Sequence, residues 1–301
     1  MSARFLAATL LALPLLGAKE PPKPATDNGQ AAWAEACKGK DGWDTPGPPF
    51  RIHGDTWYVG TCGISALLIK GGQQHVLIDT GTEEGARLVL ANIRKLGVDP
   101  FDIASITHSH EHFDHVGGLG YLADLTGAEV VTSYPAEGVI STGEADPADP
   151  QFGMHEPMEP ANVQLRVANG ETIQTLFKGQ IEHTLTAIST PGHTPGALTW
   201  TWQSCEGSDC KTIVYADSLN PISSDTYRFS DHPEYVAAFR AGLAKLRALK
   251  CDILITPHPA ASDMYARAAT GSMLGGMTCA QYADAKTKAL DERLAKEAAF
   301  K

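Results

Sequence analysis

Short apolar runs broken by glycine dominate the first third of the chain beyond its N-terminal segment. Asp55–Val59, Ile64–Lys70 and Gln74–Ile78 are β-rich stretches separated by Gly60, Gly63 and the Gly71-Gly72 pair, the punctuation expected of strands joined by tight turns. The period then changes. Thr82 followed by Glu83 and Glu84 opens a helix that runs to about Leu96, where Gly97 stops it. A capping hydroxyl and first-turn acids satisfy free N–H groups and face the positive end of the helix dipole. Ile103–Ile106 is a short apolar strand, and further strands are expected at Glu129–Thr132, Gln164–Val167, Glu171–Gln174, Glu182–Ala187, Ala197–Trp202 and Thr212–Tyr215. Pro233–Leu249 carries Val236, Phe239, Leu243 and Leu246 at helical spacing, a core-facing stripe. Asp252–Thr256 reads as a buried strand and Cys279–Ala299 as a charged amphipathic closing helix. Ser141–Pro160 holds four prolines and no period, so it is expected to be a surface loop, of a length often found beside functional sites.

Strand runs in each half, closed by helices, predict an α/β fold of two sheets packed face to face with helices outside. A doubly wound parallel sheet needs more regular βαβ alternation than this. With 301 residues, 43% hydrophobic and 20% charged, the chain has a globular balance, which excludes wholesale disorder, collagen and coiled coil. Its net charge of −11 gives no electrostatic footprint for nucleic acid or an anionic membrane and leaves small molecules as partners.

Residues 1–18 combine Arg4, an apolar run from Phe5 to Leu16 and a Gly17-Ala18 exit, the parts of a cleaved secretory signal peptide. The run is too short to span a bilayer, which takes roughly 20 residues, and no cysteine follows it to carry a lipid anchor. Cleavage removes one charged residue, Arg4, so the mature chain is more acidic still. The expected organisation is a signal peptide over 1–18, a proline-containing flexible leader over 19–30 and a single domain over 31–301. An exported protein of this kind is periplasmic in a Gram-negative host, and is read as a monomer. Export also makes disulfides the natural reading of Cys37, Cys62, Cys205, Cys210, Cys251 and Cys279, which show no C-x-x-C spacing. Fifteen connectivities are open; the simplest joins neighbours, Cys37–Cys62, Cys205–Cys210 and Cys251–Cys279. Six buried free thiols are the rival arrangement.

Four of the eleven histidines fall within residues 108–115. In His110-x-His112-x-Asp114-His115 the two histidines two apart point the same way in an extended loop and can grip one metal. Asp114 and His115 are adjacent and diverge, so they can face a second. Imidazole with carboxylate suits zinc, with iron or manganese as alternatives. Gly117-Gly118 is expected to let the backbone turn tightly alongside. His108 forms a competing H-x-H pair with His110, but only the later frame is followed by Asp-His, so His108 is left out. His193, in Thr190-Pro191-Gly192-His193-Thr194-Pro195-Gly196, and His258, in Ile255-Thr256-Pro257-His258-Pro259, each follow an expected strand.

H-x-H-x-D-H, with Asp79 in Leu77-Ile78-Asp79-Thr80-Gly81 upstream and His193 and His258 downstream, resembles the metallo-β-lactamase superfamily over roughly residues 50–260. The resemblance implies an αββα sandwich. It implies two zinc ions per chain: His110, His112 and His193 on the first, Asp114, His115 and His258 on the second, with Asp79 supporting the ligand loop. The Pro191–Gly196 turn, Thr199-Trp200-Thr201-Trp202 and Tyr215-Ala216-Asp217-Ser218-Leu219 are similar to the third subclass of true metallo-β-lactamases; the other subclasses place a cysteine ligand where Ser218 stands. The implied reaction is hydrolysis of the β-lactam ring of penicillins, cephalosporins and carbapenems, which confers antibiotic resistance. A hydroxide shared by the zincs would attack the carbonyl, Asp114 orienting it.

The resemblance further implies that Ser218 binds the substrate carboxylate, and that Asn220, where a hydroxyl residue is often found, can donate a hydrogen bond there. Gln151 and Phe152 of the long loop, and Trp57 near the mature N-terminus, are candidate groove walls, with ordinary packing as the competing role. A glyoxalase II-like thioester hydrolase or a lactonase on the same fold is the main alternative. It would require Asp217 to bridge the two metals rather than support their ligands. A zinc-storage protein would need the ligands but no substrate groove.

Overall fold

The computed structural model describes residues 28–299; the expected signal peptide and most of the expected leader lie outside them. Gln30, placed at the end of that leader by sequence, instead opens helix α1 (Gln30–Ala36) and is buried, with its side-chain amide donating to the carbonyl of Arg51 at 2.7 Å.

Seven strands form the first sheet, in chain order: β1 (Phe50–His53), β2 (Thr56–Tyr58), β3 (Leu67–Lys70), β4 (His75–Ile78), β5 (Ile103–Thr107), β6 (Glu129–Ser133) and β7 (Leu165–Val167). The first four pair antiparallel and the rest parallel, so the sheet is mixed. The second sheet has the order β12-β11-β10-β9-β8, from β8 (Thr172–Phe177), β9 (Gln180–Ser189), β10 (Leu198–Glu206), β11 (Asp209–Tyr215) and β12 (Ile253–Ile255). Only the β11–β12 pair is parallel there.

The two-residue period of a strand decides what each residue packs against. Leu67 and Ile69 face the second sheet, meeting Trp200, Trp202 and Tyr215 in the central core, whereas Leu68 between them faces outward. Outside the first sheet lie α2 (Glu83–Lys95), the single turn α3 (Phe113–Val116), α4 (Leu119–Thr126) and α5 (Glu137–Thr142). Thr82 caps α2 by accepting from Gly85 N at 2.9 Å. The second sheet carries α6 (Pro233–Arg247) and α8 (Cys279–Ala299) on its outer face, through Phe239, Leu243, Leu246, Tyr282 and Leu290 against Val214 and Leu254. Helix α7 (Met264–Ala269) packs on α1.

Trp57 lies on the outer face of the first sheet, partly buried against the α2 and α4 core, with Lys70 over its ring. It alternates with Tyr58, which faces the other sheet, so the packing role is the one its contacts show. Disulfides join Cys37–Cys62, Cys205–Cys210 and Cys251–Cys279, with Cα–Cα separations of 5.3, 4.0 and 5.7 Å. Among the described residues no helix is long and apolar enough to cross a membrane.

Candidate metal centre

Strand β5 ends at Thr107 and delivers the chain to the histidine-rich segment at one edge of the sandwich. The segment is extended only as far as His112; Asp114 and His115 lie in the first turn of α3, not in the uniformly extended loop that the spacing implies. The helical turn keeps both groups together: the His115 ring lies 4.2 Å from that of His110, and Asp114 joins these two residues within ligand distance. Neither Gly117 nor Gly118 has a positive φ, so turning is not their use. A Cβ on Gly118 would collide with Ala86 of α2, and the glycine is required for close packing of the ligand loop on that helix.

The downstream turn brings His193 to this segment. Ring centroids of His110, His112 and His193 lie 4.7–5.0 Å apart, and the three residues can offer ligand atoms within 4.8 Å of one another. His110, Asp114 and His115 form a second set meeting the same limit. His258, at the end of β12, joins it: the Nε2 atoms of His115 and His258 lie 3.1 and 3.3 Å from the same oxygen, Oδ2 of Asp114. All are buried except His258, whose side chain is 33% exposed.

Most rings are fixed from behind. His110 Nδ1 is 2.9 Å from Asp217 Oδ1 and 3.2 Å from Ser109 Oγ. His112 Nε2 is 2.8 Å from Asp149 Oδ2, and His193 Nδ1 donates to the backbone carbonyl of Asn220 at 3.0 Å. His115 Nδ1 faces Asp79 Oδ2 at 3.2 Å. A partner on one ring nitrogen fixes the tautomer and leaves the other nitrogen's lone pair for a metal. Among the described residues the buried Nε2 of His110 and both ring nitrogens of His115 have no hydrogen-bond partner. Imidazole and carboxylate donors, with buried ligand atoms left unsatisfied, fit zinc in two adjacent positions.

The electrostatics agree. Burial, reinforced by neighbouring His115 and His112, pulls His110 well below the ordinary histidine range, and burial beside His110 and His112 does the same to His193. Both are neutral ligands in waiting. Burial also opposes charge on His115 and Asp114, but here the partners win. Asp114 and Asp79 raise His115 to about 10, while His115 and His258 hold the Asp114 carboxyl well below the usual range. A spot that retains a proton so firmly is one that favours a cation.

Asp79 is the hub behind the loop. It is fully buried in a left-handed conformation (φ 62°), and it accepts from Ser109 N, Ser109 Oγ and Tyr215 Oη at 2.6–2.7 Å. A strained non-glycine residue in this position is held by its surroundings. Glu111, between the ligands, was not singled out by sequence. Buried and raised to about 7 by that burial, it accepts from Thr194 Oγ1 at 2.6 Å and Gly196 N at 2.7 Å, tying the first ligand loop to the loop of His193. Asp149 also escaped notice. A lone acid in a proline-containing loop carries no pattern, and its role depends on a fold that brings it back to His112.

Other candidates divide. Gln151 is buried with Nε2 3.5 Å from His193 Nε2, and Phe152 beside it is 49% exposed. Ser218 is 2% exposed and its Oγ has no hydrogen-bond partner among the described residues. Asn220 lies behind His193, its side-chain Oδ1 accepting from Lys286. His108 is buried, hydrogen-bonded to Thr132 Oγ1 at 2.7 Å and pulled by burial to about 4; it stands outside both ligand groups. His155, 5.4 Å from the ring of His112, was unremarked by sequence.

Comparison with known proteins bears on this geometry. The profile of the metallo-β-lactamase superfamily matches residues 59–258. The structure is similar to that of the MIM-2 metallo-β-lactamase, at 47% identity and a TM-score of 0.83, covering 89% of this chain and 98% of that one. It is also similar to MEM-A1, a subclass B3 metallo-β-lactamase from a soil metagenome library, at 39% identity and a TM-score of 0.80, covering 86% of this chain and all of that one. An uncharacterized protein of Bacillus subtilis (strain 168), YobT, is 28% identical over 151 residues, which are 48% of this chain and 59% of that relative. The two mixed sheets with outer helices, the ordered histidine motifs and these likenesses lead to one assignment: the chain belongs to the metallo-β-lactamase superfamily.

Proposed function

We propose that this protein is a dizinc β-lactamase of the subclass B3 kind, opening the rings of penicillins, cephalosporins and carbapenems and so conferring resistance to them. The position of Asp217 carries the choice between this and its rivals. Its carboxylate backs His110 and accepts from Leu219 N at 3.1 Å; it does not join the metal-facing atoms of the second group. A bridging aspartate, as the thioester-hydrolase or lactonase reading needs, would occupy that space instead. Likeness to metallo-β-lactamases at 39–47% identity supports the same reading.

His110, His112 and His193 would hold the first zinc, and Asp114, His115 and His258 the second. Bound zinc supplies Lewis acidity, polarising a carbonyl and lowering the pKa of water towards about 7. The protein supplies placement and proton management. Asp114 Oδ2 faces the two histidines of its group, the side on which it would meet the metal, and Oδ1 would orient the attacking water and accept its proton. As the water oxygen bonds to the ring carbonyl carbon, the carbon–nitrogen bond breaks and that proton passes to the departing nitrogen. Ser218 Oγ and the Asn220 amide donate to the substrate carboxylate, and Gln151 and Phe152 form one wall. Export to the periplasm, with cleavage near residue 18, places the enzyme where β-lactams arrive; N-terminal sequencing of the mature protein checks it.

Purified protein should open a penicillin, a cephalosporin and a carbapenem, and a chelator should abolish the activity until zinc is restored. Absence of chelator-sensitive ring opening in all three overturns the proposal.

A further inference from the structure

Beside the loop of residues 216–220 lies a charge that the sequence did not flag. Helix α8 carries Lys286 against the loop of residues 216–220 that follows β11. Tyr282, one turn earlier, donates from Oη to the carbonyl oxygens of Asp217 and Ser218 at 3.1 and 2.8 Å and fixes that helix on the loop. The Lys286 ammonium lies over the Tyr282 ring at 4.8 Å and donates to Oδ1 of Asn220. Its neighbours on α8 are neutralised: Asp284 pairs with Arg247, Lys288 with Glu292, Asp291 with Arg240 and Arg293 with Glu297. Lys286 alone of the lysines and arginines from 284 to 293 has no carboxylate within ion-pair distance among the described residues. Such a half-buried cation is costly unless something anionic uses it.

Its grip on Asn220 has a direction. An amide presents an acceptor on one side and two donors on the other. With Oδ1 taken by a cation, the amide is held in one orientation and polarised, and Nδ2 has no partner among the described residues. Ser218, two residues earlier on the same loop, contributes a buried Oγ that also has no partner. Two unpartnered donors and a positive charge with no ion-pair partner among the described residues therefore meet on the loop whose Asn220 carbonyl holds His193 Nδ1. On a chain with a net charge of −11, an anionic substrate needs a local cation of this kind.

We propose that Lys286 is a positioning residue for the substrate carboxylate: it locks the Asn220 amide with Nδ2 as donor and supplies the positive charge behind it. The inference rests on the β-lactam reading above and assigns to Asn220 a definite effect, tighter carboxylate binding.

The test compares a penicillin with its methyl ester, using wild type and the variants Lys286→Met, Lys286→Arg and Asn220→Ala, each checked for zinc content and Tm. Lys286→Met should raise KM for the free acid about 10-fold, the scale of one charge-assisted hydrogen bond, with kcat within about 2-fold and KM for the ester unmoved. Lys286→Arg should restore most of the affinity. Asn220→Ala should raise KM for the acid similarly, and combining it with Lys286→Met should add little, because the two act as one unit. Equal KM changes for acid and ester, no KM change at all, or additive losses overturn the lysine's role. Wild-type protein that opens no β-lactam overturns the β-lactam reading and this role with it, whereas turnover by wild type with an indifferent Lys286→Met removes the role alone.

Discussion

The two ligand groups stand a few ångströms apart yet are built differently. In the first, each of three buried histidines has a separate partner behind it: Asp217 for His110, Asp149 for His112, the Asn220 carbonyl for His193. In the second, His115 is braced by Asp79, but His258 arrives from the opposite half, is one-third exposed, and meets the group through Asp114. The first position is thus pre-oriented before any metal arrives, while the second closes through one solvent-facing loop. Pre-orientation of ligands is what outer partners contribute to metal affinity, so the first position should retain zinc longer under limiting metal.

Deleting a ligand from each group is the most forceful way to break this comparison. His110→Ala should lower β-lactam turnover by more than about 100-fold, beyond the 10–100-fold range typical of losing an outer partner, and should empty the first position. His258→Ala should leave one zinc per chain in the first position and also abolish most turnover. Metal analysis after dialysis at limiting zinc checks both. Two zincs retained by His258→Ala would show that the second position does not depend on that loop.

The supporting shell gives a sharper test with smaller effects. Asp217→Asn keeps shape but replaces a carboxylate behind His110, and Asp149→Asn does the same behind His112. Each should weaken zinc binding by about 10–100-fold at the first position only, read by competition with a chromophoric chelator. If Asp217→Asn instead strips both metals, Asp217 touches both, and the bridging role of the rival hydrolases returns.

How much of this was legible follows from the kind of pattern each residue belongs to. The ligands are close in sequence or sit at strand ends in recognisable turns, so spacing and local chemistry expose them. Their partners are not. Asp149 is one acid in an irregular loop and becomes a ligand support only because Gln151 N and His112 meet around it. Glu111 lies inside the motif, but its use requires the 192–196 turn to come back to it. Lys286 lies in a helix whose charges look uniformly solvent-facing until Asn220 is placed beside it. For Trp57 the difficulty was of another kind: a one-residue shift in a strand reverses the face, and sequence alone left the register of β2 open. The fold was read well where apolar period was clear, at α2, α6, β5 and β12. Helices α1, α3, α4, α5 and α7 were not read because they have 4–8 residues, too few turns to show a stripe.

The Cys37–Cys62 disulfide reaches the weaker group indirectly. Tyr265 Oη donates to the Cys62 carbonyl at 2.6 Å, and Ser65 N donates to the carbonyl of Pro257, the residue before His258, at 2.8 Å. Replacing both cysteines by serine should cost about 3 kcal/mol by the chain-entropy relation. That corresponds to a Tm lower by roughly 6–12 °C, read by calorimetry. Zinc affinity at the second position should fall by a few fold and that at the first should not change. Equal loss at both positions would mean that the bridge stabilises the whole sandwich and not the loop of His258.

The smallest effect belongs to the rim, where neither group's ligands are touched. Phe152 is half exposed and its backbone N donates to the Asp149 carbonyl at 2.9 Å, so the main chain there is pinned to the support of His112 while the ring faces outward. Truncation to alanine removes apolar surface without cutting that bond, and the protein should keep both zincs and its Tm within about 1 °C. A ring that is half solvated contributes only part of its burial energy to a bound substrate. KM should therefore rise by about 3-fold, under 1 kcal/mol, and more for substrates with bulky apolar substituents than for small ones. Steady-state kinetics on a matched pair of substrates checks this. Loss of zinc in Phe152→Ala would instead show that the loop's apolar contacts hold Asp149 in place, and the first ligand group would then depend on its rim as the second does.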